Sequence, residues 1–131
     1  MPIEYEIIES QRLIIAKGSG VITGEEILDH LETLANDYRY ISPMKKLVDY
    51  RLVDNIAVST DEQWQIADRK KDLNPKFDGE KCAFISPKDI NFGQSRVHQA
   101  LVEGYNLSTE VFRSVKDALS WLDVMLDDDF D

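Results

Sequence analysis

A single cysteine, Cys82, occurs in this 131-residue chain. That scarcity excludes an internal disulfide and the paired cysteines on which most structural zinc sites depend. The flanking run Lys81-Cys82-Ala83-Phe84-Ile85 reads as a strand with the thiol as a small core residue. Histidine is nearly as rare: His30 and His98 fall in different predicted helices, without an i,i+4 partner or flanking carboxylates, and read as surface or half-buried helix residues. No metal or cofactor is expected. No apolar run approaches the roughly 18–20 residues of a membrane span, and Met1-Pro2-Ile3-Glu4-Tyr5-Glu6 is acidic where a signal peptide would be basic and then apolar. The expectation is a cytoplasmic protein with no integral membrane segment. Gly18-Ser19-Gly20 lacks the longer spacings of a phosphate loop, and no Gly-x-Ser-x-Gly elbow exposes a nucleophile. A Ser-His-Asp triad can be drawn on paper from Ser19, His98 and Asp49, but the reading is of a protein that is not an enzyme.

Acidic residues, by contrast, are abundant. Fifteen Lys and Arg against 25 Asp and Glu give a net charge of −10, and five of the acids (Asp123, Asp127, Asp128, Asp129, Asp131) lie in the last nine residues. Such a balance repels phosphate backbones and anionic headgroups, so no nucleic acid is expected as a partner. A hydrophobic fraction of 43% is that of a globular chain, and the length suits one core. One domain is expected over residues 1–126, followed by a solvated acidic tail at 127–131.

The apolar pattern gives the elements. Residues 3–9 and Leu13-Ile14-Ile15-Ala16 are joined by so short a link that they predict an antiparallel hairpin, the second strand ending at Gly18-Ser19-Gly20. Thr23 and Glu26 form a capping box for a first helix with Ile27, Leu28, Leu31, Leu34, Ala35 and Tyr38 inward. Lys46–Arg51 is a strand, 52–59 is irregular, and Thr60-Asp61-Glu62-Gln63 predicts a second capping box and a helix to about Leu73. A strand at 81–86 leads to a helix from about Gly93 to Tyr105, with Val97, Ala100, Leu101 and Tyr105 inward. The strand Glu110–Arg113 precedes a last helix capped by Ser114, carrying Ala118, Leu119, Trp121, Leu122 and Met125. This order predicts an α/β fold: a five-stranded mixed sheet with an antiparallel edge hairpin, then parallel βα units, and four helices. Crossovers of one hand put the helices on one side and leave the other sheet face only partly covered, which fits the polar Asp49 and Arg113. A homodimer through that face is one arrangement this permits.

Three stretches, Gly18–Glu26, Lys46–Arg51 and Val111-Phe112-Arg113 with Ala118–Leu122, resemble in order and spacing the SpoIIAA-like (STAS/SEC14-type) single-domain bacterial proteins of uncharacterised function. The resemblance covers about residues 3–125. It implies a regulatory or protein-interaction module of STAS type or, through the CRAL-TRIO relatives, a carrier of lipid-like ligands. STAS antagonists are phosphorylated on a serine in an Asp-Ser-Ser-Gly-like turn; here the corresponding stretch, Leu52–Asp61, carries no such turn.

Candidate binding residues cluster at two helix starts. Ser59 and Thr60 could frame a phosphate or be modified, or Thr60 could be a plain cap. Phe92-Gly93-Gln94-Ser95-Arg96 could clamp an anion through Arg96 and Gln94, or Phe92 could staple the helix while Arg96 pairs with a surface acid. The rim beyond the strands also offers Arg51, Asp54, Ser86 and Lys88. Arg69-Lys70-Lys71, interleaved with acids, reads as a solvated helix face. Tyr38, Tyr40 and Trp64 either complete the core or line an apolar cleft beside the second helix. The partner is thus an unknown protein docking on 52–73, or a small apolar ligand entering beside Trp64.

Overall fold

The computed structural model describes residues 3–73, 76–103, 107–126 and 130. In chain order the elements are β1 (Ile3–Ile8), β2 (Leu13–Thr23), α1 (Gly24–Ala35), β3 (Lys45–Ala57), α2 (Thr60–Asp72), β4 (Lys81–Ile85), α3 (Asp89–Val102), β5 (Ser108–Phe112) and α4 (Val115–Leu122). The sheet order is β1-β2-β3-β4-β5, with β1 antiparallel to β2 and the remaining pairs parallel. This is the mixed sheet with an edge hairpin and four helices that the sequence predicts.

Strand alternation divides the core into two layers. Ile14, Ala16, Val48, Tyr50, Cys82, Phe84 and Val111 face α1, α2 and α3, while Leu13, Ile15, Leu47, Ala83 and Ile85 face α4. The second face is therefore covered: α4 brings Val115, Ala118 and Leu122, and Leu126 and Phe130 pack beside them. Asp49 on this face ion-pairs with Arg51 at 2.9 Å, and Arg51 also donates to the Phe130 carbonyl at 2.8 Å. The premise of a half-bare sheet face is thus corrected. The remaining tail residues, 127–129 and 131, lie outside the described set.

Several boundaries differ from the sequence reading for identifiable reasons. The two central strands run on, β2 to Thr23 and β3 to Ala57, so 52–59 is strand for most of its length and Arg51 sits inside β3 rather than at the rim. Irregular register at Lys17/Ser19 and Gly20/Val21, with Gly20 at φ 66°, breaks the strict alternation that marks a strand in sequence. β4 pairs β3 only over Lys45–Asp49. Beyond that, Asn91 stands in for the missing neighbour: its amide donates to the Val53 carbonyl at 3.1 Å and its oxygen accepts from Ile56 N–H at 3.1 Å.

Capping chemistry sets the helix starts. Thr23 and Glu26 form the expected box. For α2 the cap is Ser59, paired with Glu62, and Thr60 is the first helical residue instead of the cap. Helix α3 begins at Asp89, four residues before the expected start, and no side chain caps it. Its inward residues are Asn91, Ser95, His98 and Val102; Val97 and Ala100 are exposed, and Tyr105 lies outside the described set. Tyr38, expected inside, is also exposed, and Met125, expected on the last helix, lies beyond its end at Leu122 and is exposed.

Candidate functional site

A cavity of about 50 Å³ lies between the sheet and α1, α2 and α3. That is room for about four water-sized groups. Its floor comes from the helix-facing residues of β2, β3 and β4, among them Ala16, Val48, Tyr50 and Phe84, and Ile27, Leu31 and Ile66 close it from above. Gly18 makes part of this geometry: a Cβ there would stand 2.9 Å from the Tyr50 ring.

Polar groups converge on this apolar space. His30 from α1, Lys46 from β3, Lys70 and Gln63 from α2, and Ser95, Gln94 and His98 from α3 all line it. His30, Lys46, Lys70 and His98 are buried, the two lysines at only 3% exposure. Lys46 Nζ lies 2.8 Å from His30 Nε2, so the imidazole nitrogen accepts from the ammonium. Lys70 Nζ lies 2.8 Å from Glu80 Oε1, and Glu80 also accepts from the Tyr40 hydroxyl at 2.9 Å.

Burial and charge together set the protonation of the cluster. Burial, with Lys46 and Lys70 adding repulsion, pushes His30 down to about 2 and His98 down to about 3, so both imidazoles are neutral. Burial also lowers the pKa of Lys46 from the usual lysine range, although Glu80 pulls the other way. Burial works against the Lys70 ammonium too, but the adjoining Glu80 carboxylate prevails and raises it. Glu80 is held below the usual carboxylate range because the two lysines outweigh its burial. Cys82, behind this cluster, is buried, and burial pushes its thiol up to about 11.

The residues singled out from sequence lie elsewhere. Ser59 is exposed and caps α2, accepting from Glu62 N–H at 3.1 Å, and Thr60 beside it is exposed. Trp64 is 54% exposed and does not reach the cavity. Phe92 is half-buried with the Arg113 guanidinium 4.3 Å above its ring. Arg96 is exposed in a separate groove beside β5 with Gln99 and Glu110. Ser86 bonds Ser95 at 3.0 Å, and Lys88 pairs with Asp54 at 3.4 Å on the surface. The paper triad is not assembled, since Asp49 faces α4 and His98 faces the cavity.

Sequence reasoning missed Lys46 and Lys70. The run Arg69-Lys70-Lys71 reads as a solvated face, and Arg69 does pair with Glu32 on the surface, yet the helical turn carries Lys70 inward. A lysine at an inward-facing strand position, two before Val48 and four before Tyr50, was the available signal for Lys46. His30 and His98 are likewise inside rather than at the helix edge. Among the described residues no three His, Cys, Asp or Glu side chains group as a metal site.

No protein-family profile matches the chain. No curated protein matches it either. Among solved structures it is similar to an uncharacterised protein of the DUF3478 family with a SpoIIAA-like fold from Shewanella loihica PV-4: 20% identity, a TM-score of 0.56, 92% of this chain and 91% of that chain covered. The chain therefore has the SpoIIAA-like fold. No helix among the described residues is long and apolar enough to cross a membrane.

Proposed function

We propose that the protein is a non-enzymatic binding module whose ligand is a small molecule held between the sheet and α1–α3. The observation that carries this reading is the cavity itself, an apolar space onto which buried, hydrogen-bonding side chains converge from three helices and a strand. A purely structural core would more simply fill such a space with methyl groups, because burying charged and polar side chains is costly even when they are paired. The absence of catalysis is supported by how those groups are engaged. Ser95 bonds Ser86 and the imidazoles contact Lys46 and the rings of Tyr5 and Phe84, so among the described residues no serine is paired with a base there.

A fragment screen by NMR on isotope-labelled protein tests the reading. Binders should shift the amides of residues 27–31, 46–50 and 94–98 together, and binders that perturb only the outer surface would count against it. A protein-docking role is the second reading, favoured by Ile90 and Val97, 65% and 43% exposed, which line an outer groove with Thr60. If a protein is the true partner, Val97→Asp abolishes its recovery in a pull-down while leaving the fragment shifts intact.

A further inference from the structure

We infer that the ligand of this cavity is a small monoanion with an apolar body, a short-chain carboxylate in type, whose charged end sits against Lys46. The inference rests on the binding reading above and specifies its chemistry. The described residues that line the cavity include two lysines, two histidines and four amide or hydroxyl side chains (Tyr50, Gln63, Gln94 and Ser95), but no carboxylate. The nearby carboxylate, Glu80, stands outside that lining, engaged by Lys70 and Tyr40. Lys46 is the group left over: among the described residues its hydrogen-bond partner is the neutral nitrogen of His30. Glu80 acts on Lys46 only at a distance because its oxygens are taken by Lys70 and Tyr40, and a carboxylate delivered by a ligand supplies the direct pairing that Lys46 lacks while its alkyl part meets Ala16, Leu31 and Ile66.

Size follows from the volume: about 50 Å³ fits a body of a few carbons, not an acyl chain of lipid length. The route inward is suggested by Gln63 and Gln94, which line both the cavity and the outer groove between α2 and α3. Gln63 Nε2 donates to Gln94 Oε1 at 2.9 Å, so the two residues common to both spaces are joined by a side-chain hydrogen bond.

Binding of an anion also favours the protonated form of Lys46. The groups facing Lys46 are His30 from α1, Lys70 from α2, Glu80 and Cys82 at β4, and His98 from α3. Burial lowers its proton affinity in the empty cavity, and a carboxylate restores it. Affinity for an anion then falls as pH rises, while affinity for a neutral analogue does not change.

Calorimetric titration of the full chain with butanoate, butanamide and butylammonium tests this. The expected result is butanoate binding about ten-fold tighter than butanamide, butylammonium weaker than both, and loss of the preference in Lys46→Met. Equal binding of butanoate and butanamide would overturn the anion inference while leaving the binding module standing. No binding by any of the three would overturn both. Should Lys46→Met fail to fold, chemical shifts of the Lys46 side chain in the wild-type protein decide the matter: they move with butanoate and not with butanamide if the inference holds, and move equally with both if it does not.

Discussion

Glu80 is the residue on which the buried charges depend. It is 1% exposed, ion-paired with Lys70 and hydrogen-bonded by Tyr40. Removing its charge leaves two ammonium groups facing an apolar interior, so Glu80→Gln should lower the unfolding free energy by about 3–5 kcal/mol in urea titrations. Combining it with Lys70→Met should recover part of that loss; a double variant as unstable as the single one would show that the charge is not the cause. The histidines give a second expectation. Both have folded values, about 2 and about 3, far below the usual 6.5, so the unfolded chain binds the proton first and stability is lost as pH falls below about 6.5. The loss approaches about 1.4 kcal/mol per pH unit for each imidazole. Between pH 6.5 and 5 the wild-type protein should weaken steeply and a His30→Gln, His98→Gln variant should not, as read from denaturation midpoints. These residues were hard to read from sequence, because a lone lysine or histidine on an otherwise ordinary pattern marks a surface far more often than an interior.

At the scale of elements, the chain's punctuation was legible and its phase less so. Thr23 with Glu26 announced α1, and the short link after Glu9 announced the hairpin. In α3 the inner face is polar, with Asn91, Ser95 and His98 committed to β3 and the cavity, so an apolar pattern points one residue out of phase. Gly93, expected at the start of this helix, instead sits inside α3, and a Cβ there would meet nothing within 4 Å. Gly93→Ala should therefore stabilise the protein by about 0.5–1 kcal/mol, seen as a higher midpoint without a change in the slope of denaturant unfolding. A destabilised Gly93→Ala would mean that the helix is bent or crowded there. The fold of the sheet was readable because strand and helix alternate along the chain; the covering of its second face was not, because α4 follows the last strand and no crossover constrains which side it takes.

Over the whole molecule, an acidic exterior surrounds a cavity whose charged lining is cationic. The net charge of −10 and the lysines at the cavity act on an anionic ligand in opposite senses, the first on its approach and the second on its residence. Added salt screens the approach and reaches the enclosed pair far less, so the association rate of butanoate should rise with ionic strength while its dissociation rate stays nearly constant. Stopped-flow measurements at two salt concentrations separate these; association slowed by salt would place the anion on a basic outer patch instead. The same contrast explains why composition alone, which argues against polyanionic partners, was silent about a small monoanion. A crystal structure of the protein soaked in butanoate locates the anion. Density is expected beneath α1–α3 with a carboxylate oxygen within hydrogen-bond distance of Lys46 Nζ; a ligand bound only on the surface, or a cavity closed by core side chains, would rule out an anion site at Lys46.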